Sequence, residues 1–220
     1  HCMEGKDGQE DIDEELLCYK VYETLSPYAF RTVRVNIIYR DKAGKYPAIN
    51  SGAFLIEPDK VLETRLRLDE RKRFSIAEDS LDFSAYASAA AFNFLIGNKD
   101  WSITESRNTK LFYNPDTGKY IAVPYDFDFS NVVIASYRRE VKSPGSTHPL
   151  DRVFKGEYFA DRSAETLTGL LQHEKEILRV VMEADCNLSK DRRKKIAKYF
   201  SDCFQYIRTR NADKLKYGMV

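Results

Sequence analysis

Cysteine, histidine and glycine are sparse in this chain of 220 residues, and none of the three forms a recognisable site. The four cysteines and three histidines lie far apart, with no CxxC pair and no metal-ligand spacing. No glycine-rich phosphate loop, internal repeat or low-complexity tract is present. A cysteine-based metal site and a glycine-rich nucleotide loop are therefore not expected.

An excess of one charge and long apolar runs are also missing. The 35 lysines and arginines nearly balance the 34 aspartates and glutamates, which leaves a formal net charge of +1. Bulk electrostatics thus gives no case for a nucleic acid or an anionic membrane as a partner. No apolar run approaches the roughly 18 to 20 residues that a membrane-spanning helix needs. The apolar fraction of 43% suits a globular protein.

The first quarter of the chain has the periodicity of a helix followed by two strands. Apolar residues at four-residue steps from Asp13 predict an amphipathic helix that ends at Pro27. Alternating apolar and polar residues over 33–39 predict a half-exposed strand, and 51–57 predict the returning strand. The sequence DKAGK between them is typical of a turn.

The remaining pattern is mainly helical. A helix is predicted to begin at Pro58, and a second one over 79–96 is apolar nearly all round, which is typical of a buried helix. Gly97 is suited to the left-handed turn that ends it. Two further helices are predicted in the last third, and the basic run 192–195 is interpreted as a solvated face.

Side chains suited to phosphoryl transfer are concentrated in residues 92–130. Asp100 follows the helix stop, Asn108 comes eight residues later, and Asp126 and Asp128 end an apolar run. Phosphoryl transfer needs one carboxylate to orient the attacking hydroxyl, and further oxygen ligands to hold magnesium against the nucleotide phosphates. The turn NPDTGK predicts a hairpin that returns the YDFD segment to Asn108. Both acids of YDFD share one face if the strand continues through them.

The motifs GNKDW, a following Asn and PYDFD resemble the catalytic core of the atypical kinases related to the spore-coat kinase CotH. They are more similar to a group of uncharacterised bacterial proteins with the same motifs in the same order. The resemblance implies an α+β, protein-kinase-like fold. It would comprise a partial N-lobe over residues 1–58 and a helical C-lobe over residues 59–220, with ATP and magnesium as cofactors.

The resemblance also implies roles for individual residues. Asp100 would be the catalytic acid and Asn108 a metal ligand, while Asp126 and Asp128 stand where ordinary kinases have the Asp of DFG. Asp126 is favoured because Phe127 follows it. One departure is clear, since protein kinases place the Asn five residues after the Asp and this chain places it eight residues after. The loop is therefore expected to bulge.

A kinase also needs a strand-borne lysine on the nucleotide phosphates, held by a glutamate on a helix. Glu14 or Glu15 could be that glutamate, but the lysine is not visible in the chain and is expected to precede residue 1. Glu57 would lie at the hinge beside an adenine, where its backbone would form the hydrogen bonds. The start at His-Cys rather than Met suggests that a signal peptide or an earlier domain has been removed.

Three functional hypotheses remain open. The first is an ATP- and magnesium-dependent kinase that phosphorylates a hydroxyl of an unknown protein, glycan or small molecule. The second is a catalytically inactive pseudokinase or binding module on the same scaffold. The third, a metal-dependent hydrolase, is weaker because such sites usually add histidines, and His1, His148 and His173 are remote from the acids in sequence. The resemblance to bacterial proteins that often carry export signals favours the cell envelope.

Overall fold

A computed structural model describes residues 6–71, 76–133 and 152–209. Helices predominate and the strands form two small antiparallel sheets, which confirms the α+β class. Within the described ranges, no helix combines the length and the apolar character needed to cross a membrane.

The elements follow one another in chain order with short connections. They are α1 (Lys6–Leu25), β1 (Thr32–Tyr39), β2 (Ile49–Ile56), α2 (Asp59–Leu66), β3 (Asp69–Glu70), α3 (Phe83–Ile96), β4 (Thr109–Asn114), β5 (Lys119–Pro124), α4 (Ser163–Gly169), α5 (Glu174–Glu183) and α6 (Lys190–Thr209). Short 3-10 helices precede α3, α4 and α5, at Glu78–Ser80, Ala160–Arg162 and Leu170–His173. Strands β1 and β2 form one sheet, and β3, β4 and β5 form the other in that order.

Helix α1 begins seven residues before the predicted start at Asp13. Its first turns lack an apolar stripe, but Gln9 makes contacts with β2 that no local pattern reveals. The Gln9 side chain accepts a hydrogen bond from the Gly52 backbone N–H at 2.7 Å and donates to the Ser51 hydroxyl at 3.1 Å. Tertiary contacts therefore extend the helix beyond its amphipathic part.

One face of the β1–β2 hairpin packs on α1. The rings of Phe54 and Tyr19 lie 5.6 Å apart, and Arg34 forms an ion pair with Asp13 at 2.9 Å. The turn between the strands is closed by the Asp41 carboxylate, which accepts hydrogen bonds from backbone N–H groups three times. The hairpin predicted from the alternating pattern is confirmed.

Helix α3 is the buried helix that the sequence predicts, and it ends as expected. Its N-terminus is capped by Asp82, whose carboxylate accepts a hydrogen bond from Ala85 N–H at 2.8 Å. Gly97 ends it in the left-handed conformation, with φ of +66°. A Cβ atom there would lie 2.5 Å from both the Asn131 amide nitrogen and the Tyr199 hydroxyl. Position 97 therefore requires glycine for its backbone and for its close packing.

The buried apolar side chains form two clusters that meet at α3. The larger one joins α1, α3, the β4–β5 hairpin, α5 and α6, and it has members on both sides of residue 58. The smaller one surrounds Trp101 and includes Tyr86 of α3 and Tyr158. The division into lobes at residue 58 stays a prediction.

The last third differs from the prediction in two ways. The first predicted helix is divided into α4, a 3-10 turn and α5. The interpretation of residues 192–195 as a solvated face was wrong for its first two members. Arg193 is 8% exposed, and its guanidinium donates to the carbonyls of Val181, Ala184 and Cys186, around the C-terminus of α5. Arg192 pairs with the buried carboxylate of Glu14 on α1.

Candidate active site

Two asparagines at the end of α3 fix the backbone of Asp100. Asn98 is buried, and its side-chain nitrogen donates to the Asn93 side-chain oxygen at 2.8 Å. Its oxygen accepts a hydrogen bond from the Asp100 backbone N–H at 2.9 Å. The backbone of Asp100 is thus fixed to the end of α3, while its side chain stays 37% exposed.

The expected bulge between Asp100 and Asn108 is a pinched turn. Ser102 and Arg107 exchange two backbone hydrogen bonds of 2.9 Å, which close residues 103–106 into a turn with Ser106 at φ of +50°. Because this turn absorbs the extra residues, the Asn108 side chain returns to Asp100. Its amide nitrogen donates to the Asp100 carbonyl at 2.8 Å and to the Asp100 carboxylate at 3.1 Å.

The hydrogen bonds of Asn108 determine which of its atoms could bind a ligand. The amide nitrogen is used by Asp100, which leaves the side-chain carbonyl oxygen as the atom able to face a cation. The Asn108 backbone also accepts a hydrogen bond from Tyr125 N–H at 3.0 Å. The hairpin therefore brings Asn108 and the YDFD segment together, as its turn predicts.

The backbone is strained at both Asn108 and Asp126. Their φ angles are +47° and +60°, in the left-handed region that residues other than glycine seldom occupy. Such residues cost of order 1–3 kcal/mol each and are concentrated at functional sites. Strand β5 ends at Pro124, so the condition under which Asp126 and Asp128 would share one face of a continuing strand is not met. A sharp bend, and not a strand, places these two acids.

The two acids nevertheless interact with each other and with Asp100. Burial, followed by the Asp128 charge and a hydrogen bond with the Asp128 carboxyl, raises the pKa of Asp126 to about 6. The negative charge of Asp100 contributes in the same direction. Carboxylates from two separate segments therefore lie close enough to repel one another. A bound cation would relieve this repulsion.

Helix α1 supplies the other wall of the site. Its Tyr19 hydroxyl accepts a hydrogen bond from Asp126 N–H at 2.9 Å, and its Glu15 carboxylate accepts one from Phe127 N–H at 3.3 Å. The Phe127 ring is buried against Tyr19 and Phe92, with centroids 4.6 Å and 5.1 Å apart. The backbone of the bend is thus bound to α1.

The structure distinguishes the two glutamates that the sequence left as alternatives. Glu14 is paired with Arg192, whereas no lysine or arginine in the described residues lies within ion-pair distance of Glu15. Burial, and then the charges of Asp126 and Asp128, raises the pKa of Glu15 to about 7. Glu15 is therefore the glutamate that faces the acid cluster and that a cation would stabilise.

Glu57 lies at the end of β2, as the hinge prediction requires, but its groups are largely engaged. Its carboxylate pairs with Arg65 at 2.7 Å and 2.9 Å and accepts a hydrogen bond from Arg31 N–H at 3.2 Å. Its backbone N–H donates to the Arg31 carbonyl at 2.8 Å. The backbone carbonyl of Glu57 is thus the group that could face an adenine.

Two site residues were missed by sequence reasoning. The Glu157 carboxylate accepts hydrogen bonds from the N–H groups of Ile103 at 2.9 Å and Thr104 at 3.2 Å. The Lys155 ammonium donates to the Trp101 carbonyl at 3.0 Å. These residues follow Asp100 by more than fifty positions and belong to no motif, so no sequence signal could have found them. They hold the turn beside Asp100.

The donor set fits magnesium only in part. Among residues 6–71, 76–133 and 152–209, no group of three or more histidine, cysteine, aspartate or glutamate side chains is arranged to hold a metal ion. Asp126, Asp128 and the Asn108 carbonyl oxygen would provide two carboxylates and an amide. Mg²⁺ commonly binds proteins through one or two carboxylates and completes its six ligands with water and substrate phosphates. His1 and His148 lie outside the described residues.

Comparison with known proteins adds no assignment, because no protein-family model, curated protein or solved structure matches this chain. The site geometry and the sequence motifs are therefore the basis for a function.

Proposed function

We propose that this chain is the catalytic part of a protein-kinase-like phosphotransferase of the CotH-related type. It would transfer a phosphoryl group from ATP, with magnesium, to a hydroxyl of a protein, glycan or small molecule. One observation carries the proposal. Asn108 donates to Asp100 directly, and the charges of Asp100 and Asp128 both act on Asp126, beside Glu15 of helix α1.

In this proposal Asp100 orients the acceptor hydroxyl and takes up its proton as the oxygen–phosphorus bond forms. Asn108 fixes Asp100 by donating to both its carbonyl and its carboxylate. The pinched turn and Glu157 hold the segment that carries both residues, so the carboxylate is positioned before the substrate binds.

Asp126, Asp128 and the carbonyl oxygen of Asn108 are the residues that would hold magnesium. Magnesium, when bound, neutralises the charge of the nucleotide phosphates. The raised pKa of Asp126 is consistent with this role, since its carboxylate has unfavourable neighbours until a cation arrives. Glu15 would pair with a lysine supplied from outside the described residues, which would favour its ionised form.

The test measures ADP formation from ATP and magnesium by Asp100→Ala and Asp126→Ala. Each substitution should lower the rate by about 100-fold to 10,000-fold while the chain still unfolds in one cooperative urea transition. Asp116→Ala is the matched control, because Asp116 is exposed in the β4–β5 turn and should keep full activity. Wild-type rates in both site variants would refute the proposal.

A binding module without catalysis is the second candidate. It is favoured because no lysine or arginine side chain in the described residues pairs with Glu15. Thermal unfolding with ATP and either Mg²⁺ or Mn²⁺ separates nucleotide binding from its absence. Where the native protein has residues before His1, the titrated chain includes them. If no nucleotide stabilises that chain, the scaffold does not work as a kinase.

A further inference from the structure

Helix α6 is bound to α1 by polar contacts as well as by apolar packing. Asp13 and Glu14 of α1 are each 2% exposed. The Asp13 carboxylate accepts a hydrogen bond from the Asn187 N–H at 2.8 Å, three residues before α6 begins. The Glu14 carboxylate pairs with the guanidinium of Arg192, in the first turn of α6. Two consecutive acids therefore attach α1 to the start of α6.

The guanidinium of Arg192 also contacts the segment that follows the bend at the candidate active site. Its Nη2 donates to the Val132 carbonyl at 2.7 Å, while its Nε donates to the Glu14 carboxylate. Val132 is 2% exposed and comes four residues after Asp128. One side chain of α6 therefore bridges the helix that carries Glu15 and the segment that carries Asp128.

The contact at Glu14 fixes the rotation of α1 about its own axis. An α-helix has about 3.6 residues per turn, so successive side chains point roughly 100° apart around the axis. A rotation that took Glu14 out of reach of Arg192 would therefore turn the neighbouring Glu15 as well. Glu15 accepts the hydrogen bond from Phe127 N–H at 3.3 Å, so this rotation would break its contact with the bend.

A buried ion pair is better suited to fix an orientation than to add stability. The Arg192 side chain is 14% exposed and that of Glu14 is 2% exposed, so both charges are largely desolvated. The cost of desolvation can exceed the mutual attraction of two charges, and well-packed apolar side chains often hold helices together equally well. A hydrogen bond between charged groups, however, has a defined direction that apolar packing lacks.

We propose that Arg192 is a positioning residue of the candidate active site. From α6 it holds α1 in the rotation that brings Glu15 to the bend. It also holds Val132, which keeps the acids of the bend beside Glu15. The effect on catalysis rests on the phosphotransferase activity proposed above, whereas the effect on the bend can be measured without any reaction.

Arg193→Met is the matched control for Arg192→Met, because the two arginines are adjacent on α6. Among the described residues, the hydrogen bonds of the Arg193 side chain go to the connection between α5 and α6 and to the end of α5. None of them goes to α1 or to the bend. Removal of either guanidinium should destabilise the fold, but only the removal of Arg192 should loosen the bend.

Native-state hydrogen exchange of the full chain, followed by NMR, reports on the bend. The Asp126 and Phe127 N–H groups donate to side chains of α1, whereas the Asp100 N–H donates to Asn98 and serves as the reference. In Arg192→Met the first two amides should exchange about 10-fold faster relative to the reference than in the wild type, because local opening becomes easier. In the control variant the three rates should keep their wild-type ratios.

Arg192→Lys is the milder variant, and it decides the question if Arg192→Met does not fold. Lysine keeps a positive charge beside Glu14 but lacks the planar fork that binds Glu14 and Val132 together. This variant should show the same selective increase in exchange, by a smaller factor.

The kinetic readout is ADP formation from ATP and magnesium. Arg192→Met should lower kcat about 10-fold with KM for ATP nearly unchanged, and Arg193→Met should keep both values. The positioning role is overturned if both Arg192 variants keep the wild-type exchange ratios, if Arg193→Met changes them equally, or if an active Arg192→Met keeps the wild-type kcat. A wild-type chain without activity would refute the phosphotransferase instead, and the exchange ratios alone would then decide the positioning role.

Discussion

The clearest physical consequence of the structure is an unusual pH dependence caused by Glu15. Its pKa is raised from 4.5 to about 7, first by burial and then by the charges of Asp126 and Asp128. Between these two pH values the unfolded chain has lost the proton while the folded chain still binds it. The contribution of Glu15 to stability is therefore fully present below pH 4.5 and is lost as the pH rises through 7.

The magnitude follows from the displacement of the pKa. Each pH unit by which a pKa is displaced corresponds to 1.36 kcal/mol, so Glu15 accounts for about 3 kcal/mol of the free energy of unfolding across this range. Glu15→Gln removes the charge but keeps a side-chain oxygen that can accept the hydrogen bond from Phe127 N–H. The variant should match the wild type near pH 4.5 and exceed its stability by about 3 kcal/mol at pH 8.

The assay is urea unfolding at a series of pH values, followed by the fluorescence of Trp101. This residue is the sole tryptophan of the chain and is 1% exposed, so unfolding should change its emission. Glu10→Gln is the matched control, because Glu10 lies on the same helix with its side chain exposed, and its profile should follow the wild type. Parallel profiles for Glu15→Gln and wild type would refute the electrostatic account of the site.

Two further substitutions test how distant elements support the site. Arg192→Met should destabilise the fold by about 3–5 kcal/mol in urea unfolding, because it breaks the ion pair with the buried Glu14 carboxylate. Combining Arg192→Met with Glu14→Gln should recover part of this loss, and no recovery would contradict the ion-pair explanation. Glu157→Gln loses the charge that strengthens the hydrogen bonds from the Ile103 and Thr104 N–H groups. It should lower kcat of the proposed reaction several-fold with little change in KM. A change confined to KM would argue against a positioning role.

The repulsion within the acid cluster and the strain in its backbone point to the same conclusion. Asp126 combines a left-handed φ of +60° with a raised pKa, and both cost stability in the unliganded chain. Such costs are sustained where the surrounding structure holds the residue in place, which here means the contacts of Tyr19 and Glu15 with the bend. A cation among the carboxylates would offset the electrostatic part of this cost.

The longer spacing between Asp100 and Asn108 does not separate them in space. The two backbone hydrogen bonds between Ser102 and Arg107 close the extra residues into a separate turn. Asn108 therefore contacts Asp100 as directly as a shorter loop would allow, at 2.8 Å. The spacing of eight residues, longer than that of protein kinases, therefore does not keep the amide from the acid.

The sequence alone determined the local elements and the residue types of the site. Periodicity predicted α1, the β1–β2 hairpin and the buried α3, because each depends on contacts that repeat at fixed steps along the chain. Gly97 and the NPDTGK turn were equally predictable, since backbone conformation there is set by single residues. The candidates Asp100, Asn108, Asp126 and Asp128 were predicted from their order, their chemical types and the resemblance to CotH-related kinases, and their roles stay predictions.

Tertiary structure alone decided which side chains meet. The choice between Glu14 and Glu15 depends on Arg192, which lies far along the chain on α6, and the support of the turn beside Asp100 depends on Glu157. These features arise from contacts between remote segments, and a local pattern contains no record of such contacts.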